Sequence, residues 1–159
     1  MLFAVLTISD RCSQGLMADT AGPAVAALLT REWPKAEIRT AILRDDEDAI
    51  AAALEELVAQ DAKLVLTVGG SGLGPRDRAP EAARRVIDRE APGLAEAMRA
   101  RGAERNPYAW LSRGVAGMRA KTLIVNLPGS KRGAEESLEA ILPLLLHGLD
   151  VIAGAQNHP

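Results

Sequence analysis

A glycine-rich segment at residues 69–77 has the composition of an anion-binding loop. It reads GGSGLGPRD, with four glycines within six residues followed by Pro75, Arg76 and Asp77. Glycines allow a ligand to approach the backbone closely and allow successive N–H groups to converge on an anion. Pro75 and Arg76 stand where a Walker A loop requires Lys and Ser or Thr, and the spacing also departs from G-x-G-x-x-G. The segment therefore predicts a phosphate-binding loop of another kind, with a mobile strand-to-helix connection as the alternative.

A second segment, NLPGSKRG at residues 126–133, joins a predicted strand to a predicted helix. Lys131 and Arg132 bring two cations to the start of that helix, where free N–H groups and the helix dipole favour a phosphate or a carboxylate. If the segment stood alone, a solvated turn with surface charges would be the favoured interpretation. Two such loops in one chain favour an anion site that they share.

Three carboxylates follow predicted strands or lie in the glycine-rich segment: Asp10, Asp46 and Asp77. One or two carboxylates, together with phosphate oxygens and water, are the usual ligands of Mg²⁺ in nucleotide sites. These residues are therefore candidate magnesium ligands. Asp46 has an alternative role as a helix N-cap, with Asp45 and Asp48 as rivals, and Asp77 could pair with a neighbouring arginine.

Other catalytic chemistries have little support in the sequence. The two histidines, His147 and His158, fall in the last predicted helix and in the tail, and they form no zinc-binding cluster. Cys12 is the single cysteine and has no evident histidine partner, so we expect it to be structural or incidental. What remains is charge neutralisation and positioning, which is how phosphoryl-type transfers are usually catalysed.

The elements that must position these residues alternate between strands and helices. Continuous apolar runs predict strands buried on both faces, and 3.6-residue periodicity predicts the helices between them. The predicted strands cover 2–8, 37–43, 63–68 and 121–127. The predicted helices begin near 22, 47, 80, 93 and 134. The third of these helices reaches about Arg89, the fourth about Gly102 and the last about Ile152. This alternation indicates an α/β fold, a three-layer α/β/α domain with a mostly parallel sheet. Ligands of such sheets bind beyond the carboxyl ends of the strands, where both loops and the aspartates would lie.

Length and composition limit the class of protein. The chain has 159 residues, 48% of them hydrophobic, and we expect one domain over 1–159 with a frayed tail at 154–159. A net charge of −2 and 3% aromatic residues argue against a nucleic-acid partner. No segment approaches the length of a membrane helix, about 18 apolar residues, and the N-terminal segment lacks the basic start of a signal peptide. Together with the single cysteine, these features predict a cytoplasmic protein without a membrane partner.

The glycine-rich segment, extended to TVGGSGLGPRDRAPEA, resembles the signature loop of molybdenum-cofactor biosynthesis proteins of the molybdopterin adenylyltransferase type. That signature reads approximately T-x-G-G-T-G-x-x-x-R-D-x-T-P-E-A. The resemblance covers nearly the whole chain, through LTISDRCSQG, LRDDEDAI, PGLAEAMR, LSRGVAGMR and TLIVNLPGSKRGAEESLEAILPLLLHGL in the order of the family. An ordered series of matches is much more specific than a single glycine motif.

The resemblance implies an enzyme that transfers AMP from Mg-ATP to the terminal phosphate of molybdopterin and releases pyrophosphate. Members of the family are commonly trimers, and their adenylylated product goes forward to molybdate insertion. The resemblance therefore also implies a homotrimer and a handover of the product to the insertion enzyme. The two essential aspartates of the family fall on Asp46 and Asp77, which would be catalytic and would bind Mg²⁺. The resemblance and the loop positions together give the residues expected to bind the substrates: Ser9, Asp10, Gly69, Gly70, Ser71, Gly72, Ser112, Asn126, Pro128, Gly129, Ser130 and Lys131.

Three positions depart from the family pattern. Ser71 replaces the usual threonine and keeps a hydroxyl, whereas Ala79 and Ala21 stand where Thr and Ser are common. A threonine at position 79 would be a natural N-cap, so we expect its absence to cost about 1 kcal/mol of local stability.

Two other functions share some of these features. One is a non-catalytic protein of the MoaB type that binds molybdopterin and hands it on. The other is a nucleotide pyrophosphatase related to competence-damage proteins, which the run Pro75-Arg76-Asp77 and the single acid of the loop disfavour. The first differs from adenylyl transfer only in whether ATP releases pyrophosphate.

Overall fold

The chain forms a six-stranded sheet, and the computed structural model describes residues 1–155. The strands are β1 (Leu2–Ile8), β2 (Glu37–Leu43), β3 (Leu64–Val68), β4 (Arg89–Glu90), β5 (Ala116–Arg119) and β6 (Thr122–Leu127). Their order across the sheet is β2-β1-β3-β6-β5-β4. The first four in this order run parallel, whereas β5 and β4 are antiparallel to their neighbours. The prediction of a mostly parallel sheet is confirmed.

Helices cover both faces of the sheet. They are α1 (Asp10–Ser13), α2 (Ala21–Glu32), α3 (Glu47–Ala59), α4 (Ala79–Val86), α5 (Pro92–Ala103) and α6 (Lys131–Ile152), with a 3-10 helix at Pro107–Leu111. One hydrophobic core lies between the sheet and α2, α5 and α6, and a second lies between the sheet and α3 and α4. This is the three-layer arrangement that the sequence predicts.

The apolar runs of the central strands feed both cores. In β1, Phe3 and Val5 enter the core beneath α2 and α6, while Ala4 and Leu6 enter the opposite one. Successive side chains of a strand point to opposite faces, so a strand covered on both sides needs a continuous apolar sequence. The edge strand β2 is covered less, and its polar, alternating sequence leaves most of its side chains exposed.

The antiparallel edge of the sheet departs from the sequence-based expectation, which continued a helix to Arg89. α4 ends at Val86 because the N–H of Asp88 donates to the carbonyl of Met118 (2.9 Å) and draws the next residues into β4. β5 has four residues, one of them Gly117, so it has no apolar run by which it could be recognised.

α6 begins at Lys131 instead of near Ala134 and continues as one helix through Pro143. Its end is closed by Gly154 and Ala155, whose N–H groups donate to carbonyls of the last turn. Most of the tail that we expected to fray, together with His158, lies at 156–159 and outside the described residues. Within residues 1–155, no helix combines the length and the hydropathy needed to cross a membrane.

The connections of the sheet change direction between β1 and β3. From β1 the chain passes to β2 on one side and then returns to β3 on the other side. The helices that follow these two strands therefore lie on opposite faces of the sheet, which is the position in open α/β sheets where ligands usually bind. The residues that follow are Ser9-Asp10 after β1 and the glycine-rich segment after β3.

Candidate active site at the carboxyl ends of the strands

A cavity of about 560 Å³ opens beside the carboxyl ends of β3 and β6. The wall nearer the sheet consists of Gly70, Ser71, Gly72, Asp77, Asn126, Pro128, Gly129 and Ser130. The opposite wall comes from α5, the 3-10 helix and the first turns of α6, and includes Arg99, Arg105, Tyr108, Leu111, Ser112, Arg132 and Glu136. A cavity of this size and mixed lining suits a small polar molecule.

Close backbone contact joins the two loops of the inner wall. Gly69 has a φ of +105°, and a Cβ at this position would lie 2.4 Å from the carbonyl oxygen of Ile8. A Cβ on Gly129 would lie 3.2 Å from the Cα of Gly69. Glycine at both positions therefore allows the glycine-rich segment and the β6–α6 loop to pack against each other.

Unused N–H groups of the glycine-rich segment border this cavity. Gly70, Ser71 and Gly72 donate no backbone hydrogen bond within residues 1–155. Asp77, by contrast, shapes the segment, since its Oδ2 accepts from the N–H of Gly74 (2.8 Å). A row of free N–H groups at a concave surface is suited to binding an anion.

The first turn of α6 adds a second set of donors. Ser130 is the N-cap, and its hydroxyl accepts from the N–H of Gly133 (3.1 Å). Arg132 and Arg105 both contact the carboxylate of Glu136, each at 2.9 Å, and Arg132 holds the pKa of that carboxyl below its ordinary value. The helix N-terminus and these arginines make the far end of the cavity favourable for negative charge.

Asn126 is buried at the base of the cavity and is held on both sides. Its Nδ2 donates to the hydroxyl of Thr67 (2.8 Å), and its Oδ1 accepts from the N–H of Val115 (3.1 Å). The amide therefore connects β3, β6 and the segment leading into β5.

A group of acidic residues lies at the strand ends on the other side of the glycine-rich segment. Asp10 forms an ion pair with Arg76 (2.5 Å) and accepts from the N–H of Asp45 (3.0 Å). The hydrogen bonds from Arg76 lower the pKa of Asp10. Asp45 is 8% exposed and accepts from the N–H of Arg78 (2.9 Å). Burial raises the pKa of Asp45, and the negative charge of Asp77 raises it further.

Comparison with known proteins identifies the family. A family model described as "Probable molybdopterin binding domain" matches residues 4–147. The chain belongs to this family. The molybdopterin adenylyltransferase of Helicobacter pylori strain J99 is 38% identical over 152 residues, which cover 94% of this chain and 86% of that protein. The crystal structure of MoaB from Thermus thermophilus is 46% identical, covers 97% of both chains and superposes with a TM-score of 0.90.

Several relatives in the family are much longer. The molybdenum cofactor biosynthesis bifunctional protein of Synechococcus elongatus is 39% identical over 154 residues, which cover 96% of this chain but 48% of that protein. The chain spans between 22% and 48% of the length of three such longer curated relatives.

The residues expected from the family resemblance divide into two groups in the structure. Nine of them line the cavity: Gly70, Ser71, Gly72, Asp77, Ser112, Asn126, Pro128, Gly129 and Ser130. Five lie outside the lining: Ser9, Asp10, Asp46, Gly69 and Lys131. Their roles toward a ligand remain predictions.

Two of the outer residues have structural contacts of their own. The hydroxyl of Ser9 caps α1 by accepting from the N–H of Cys12 (3.2 Å). Asp46 is the N-cap of α3, since its Oδ1 accepts from the N–H of Ala49 (2.9 Å). The sequence left the capping role open between three aspartates, and the structure assigns it to Asp46. The side chain of Asp46 is partly exposed, and its Oδ2 lies 3.6 Å from Arg44.

The expected effect of Ala79 needs correction. Arg78 is the N-cap of α4 and makes no side-chain cap bond, whereas Ala79 is the first helical residue and fully buried. Its N–H donates to the carbonyl of Gly70 (3.1 Å). A threonine at position 79 would therefore not act as an N-cap, because its side chain would lie one position inside the helix.

The sequence reasoning missed most of the outer wall of the cavity. Arg99, Arg105, Tyr108 and Glu136 line it, and none of them was named as a binding residue, although Arg99 and Glu136 lie in segments that match the family. Tyr108 and Trp110 are 74% and 58% exposed on the 3-10 helix. The signal available in the sequence was the clustering of Tyr108 and Trp110, two of the four aromatic residues of the chain, within three positions.

Proposed function

We propose that this protein acts in molybdenum cofactor biosynthesis by transferring AMP from Mg-ATP to the terminal phosphate of molybdopterin. The observation that carries the proposal is a cavity bordered by the glycine-rich segment and the β6–α6 loop, in a chain 38% identical to a molybdopterin adenylyltransferase over 94% of its length. The wall positions of Ser71, Asp77 and Ser130 support the same reaction.

The transfer needs no protein nucleophile. An oxygen of the terminal phosphate of the pterin forms a bond to the α-phosphorus of ATP, the bond from that phosphorus to the β-bridging oxygen breaks, and pyrophosphate leaves with the electron pair. The attacking oxygen is already anionic at neutral pH, so no general base is required.

Binding and neutralising the two anionic substrates is then the main task of the protein. The free N–H groups of Gly70–Gly72 and the hydroxyl of Ser71 would bind phosphate oxygens on the inner wall. Ser130 and the first turn of α6, with Arg132, would do the same beside the β6–α6 loop. Preorganised donors of this kind stabilise the charge that develops in transition states of phosphoryl-type transfer.

The side chains of Asp46 and Asp77 have the donor chemistry for Mg²⁺. Each uses one carboxylate oxygen to accept a backbone N–H, from Ala49 and Gly74 respectively. The second oxygen of Asp46 lies 3.6 Å from Arg44, so this ion pair would have to open for Asp46 to bind the metal. No group of three or more His, Cys, Asp or Glu within residues 1–155 is arranged to hold a metal ion, so further ligands would come from phosphate and water. When bound, Mg²⁺ would neutralise phosphate charge at this acidic edge.

We further propose a cytoplasmic homotrimer that passes its product to a molybdate-inserting enzyme. The unpaired, buried Cys12 suits a reducing compartment. Leu144, Leu146 and Val151 are exposed on α6 and offer an apolar surface for contact between copies. The longer bifunctional relative of Synechococcus elongatus supports a handover, because it joins a matching segment to additional chain.

Product analysis tests the reaction directly. Purified protein is incubated with Mg-ATP and molybdopterin, and pyrophosphate and adenylylated pterin are measured by mass spectrometry, with a control lacking the pterin. The proposal predicts equal amounts of both products, dependent on the pterin. Binding of molybdopterin without pyrophosphate release would instead support the non-catalytic MoaB-type protein, and nucleotide cleavage without pterin would support the pyrophosphatase.

A further inference from the structure

Arg113 makes an unusual number of contacts with the glycine-rich segment. Its Nε donates to the carbonyl of Gly72 (2.7 Å), and its Nη2 donates to the carbonyl of Asp77 (2.8 Å). Its main-chain N–H donates to the carbonyl of Ser71 (2.8 Å). One residue thus holds three carbonyls of the segment, on both sides of the turn at Gly74.

The remaining guanidinium nitrogen is directed at the helix that follows the segment. Nη1 of Arg113 donates to the carboxylate of Glu81 in the first turn of α4. This hydrogen bond lowers the pKa of Glu81 and raises the pKa of Arg113, so both groups are charged over the ordinary pH range. The positive charge of Arg113 is therefore already paired and does not serve as a free cation for a ligand.

Arg113 is itself fixed from α5. Nη1 of Arg99 donates to the carbonyls of Ser112 (3.3 Å) and Gly114 (3.0 Å), the two neighbours of Arg113 in the chain. Arg99 lines the main cavity, whereas Arg113 lies outside that lining and borders a second cavity of about 390 Å³. The contacts therefore run from α5 through residues 112–114 to the glycine-rich segment.

The segment needs such support because its sequence supplies little rigidity. Four glycines within six residues give it more conformational freedom than other sequences of the same length. The free N–H groups of Gly70–Gly72 form one binding surface only if the carbonyls of the residues before them are held in place, because a carbonyl and the N–H of the next residue share one rigid peptide plane. Arg113 holds the carbonyl of Ser71, which shares its plane with the N–H of Gly72, and the carbonyl of Gly72, which fixes the next peptide. The carbonyl of Gly70, which shares its plane with the N–H of Ser71, accepts from the N–H of Ala79.

We propose that Arg113 is a positioning residue that holds the glycine-rich segment in the shape that binds substrate phosphate. It acts through the carbonyls of Ser71, Gly72 and Asp77 and touches no substrate itself. The catalytic consequence rests on the proposed adenylyl transfer, whereas the effect on the shape of the segment does not.

Hydrogen exchange in the absence of substrate tests the positioning role. The N–H groups of Gly74, Asp77 and Ala79 are hydrogen-bonded within or beside the segment and report its opening. In Arg113→Gln, we expect these amides to exchange about tenfold faster or more, while amides of β1 and β3 exchange as in the wild type. Arg113→Lys keeps the charge and part of the hydrogen bonding, so the amides of the segment should exchange at an intermediate rate. This variant replaces Arg113→Gln in the test if the glutamine variant does not fold.

Two further variants separate this role from a general effect on stability. Glu81→Gln removes the charge of the partner but leaves the carbonyl contacts of Arg113, so its segment should exchange within about threefold of wild type. Arg119→Gln removes an arginine of β5 that pairs with Asp88 at the surface and should leave the segment unchanged. The proposal is overturned if the segment in Arg113→Gln exchanges at the wild-type rate, or if Glu81→Gln loosens it equally.

Adenylyl transfer provides the second readout. We expect kcat/KM to fall about tenfold or more in Arg113→Gln, less in Arg113→Lys, and little in Glu81→Gln or Arg119→Gln. An unchanged kcat/KM in Arg113→Gln, in a wild-type protein that is active, would refute the functional part of the proposal. An inactive wild type would count against the proposed function and leave the exchange experiment intact.

Discussion

Replacing Gly69 with alanine should destabilise the contact on which the inner wall of the cavity depends. The φ of +105° is unfavourable for alanine by about 1–3 kcal/mol. The new Cβ would also lie 2.4 Å from the carbonyl oxygen of Ile8, and moving the backbone to relieve such a contact costs about 1–3 kcal/mol. We therefore expect a loss of about 3 kcal/mol, with both loops displaced.

Thermal unfolding measures this loss. For a chain of this size, about 3 kcal/mol corresponds to a fall in Tm of about 6–12 °C. Gly148→Ala is the matched control, because Gly148 lies within α6 and an added Cβ meets no atom within 4 Å. Alanine there should raise the stability by about 0.5–1 kcal/mol. A Gly69→Ala protein that melts within about 2 °C of wild type, or a control that falls equally, would refute the reasoning.

Three further changes have expected outcomes of different kinds. Asn126→Ala leaves the buried hydroxyl of Thr67 and the backbone N–H of Val115 without their hydrogen-bond partner, so the free energy of unfolding measured in urea should fall by about 3 kcal/mol. Adding Thr67→Val should recover part of this loss, and a loss below about 1 kcal/mol would contradict the expectation. The ion pair with Arg76 lowers the pKa of Asp10 in the folded state. The stability that this ion pair contributes should therefore be fully present above the ordinary pKa of about 3.9, and it should be lost as the pH falls through the lowered pKa of the folded protein. The stability difference between wild type and Asp10→Asn should accordingly be constant from about pH 5 to 8 and shrink below about pH 4, and a constant difference in acid would argue against the ion pair. Ser71→Ala should lower kcat/KM for adenylyl transfer about tenfold or more while Ser71→Thr retains activity, and equal activity of the two would exclude a role for the hydroxyl.

The part of the fold that sequence predicted well consists of elements with an unambiguous pattern. β1 and β2 have the predicted bounds. β1 is a continuous apolar run, and β2 is a segment of alternating polar and apolar residues. The short strands β4 and β5 carry no such pattern, since they are fixed by hydrogen bonds to β6 and its neighbours and not by local sequence. Their antiparallel pairing is a property of the assembled sheet.

The candidate site was predictable where loops follow strands. Parallel topology alone places Ser71, Asp77 and Ser130 at one edge of the sheet, and all three line the cavity. Topology could not show that Arg113 reaches back to residue 72 across 41 positions of sequence. Nor could it show that Asp46 caps α3 and lies outside the cavity lining, because the capping and ligand roles of an aspartate after a strand have the same local sequence.

We propose that Asp77 serves adenylyl transfer at this cavity. Asp77→Asn preserves an oxygen that can accept from the N–H of Gly74 and removes only the charge, so the protein should fold as the wild type does. The decisive measurement is the rate of adenylylated pterin formation from Mg-ATP and molybdopterin under single-turnover conditions. If Asp77 serves the transfer, we expect a rate about 100-fold or more below that of the wild type, with an unchanged Tm. Transfer at the wild-type rate would contradict it.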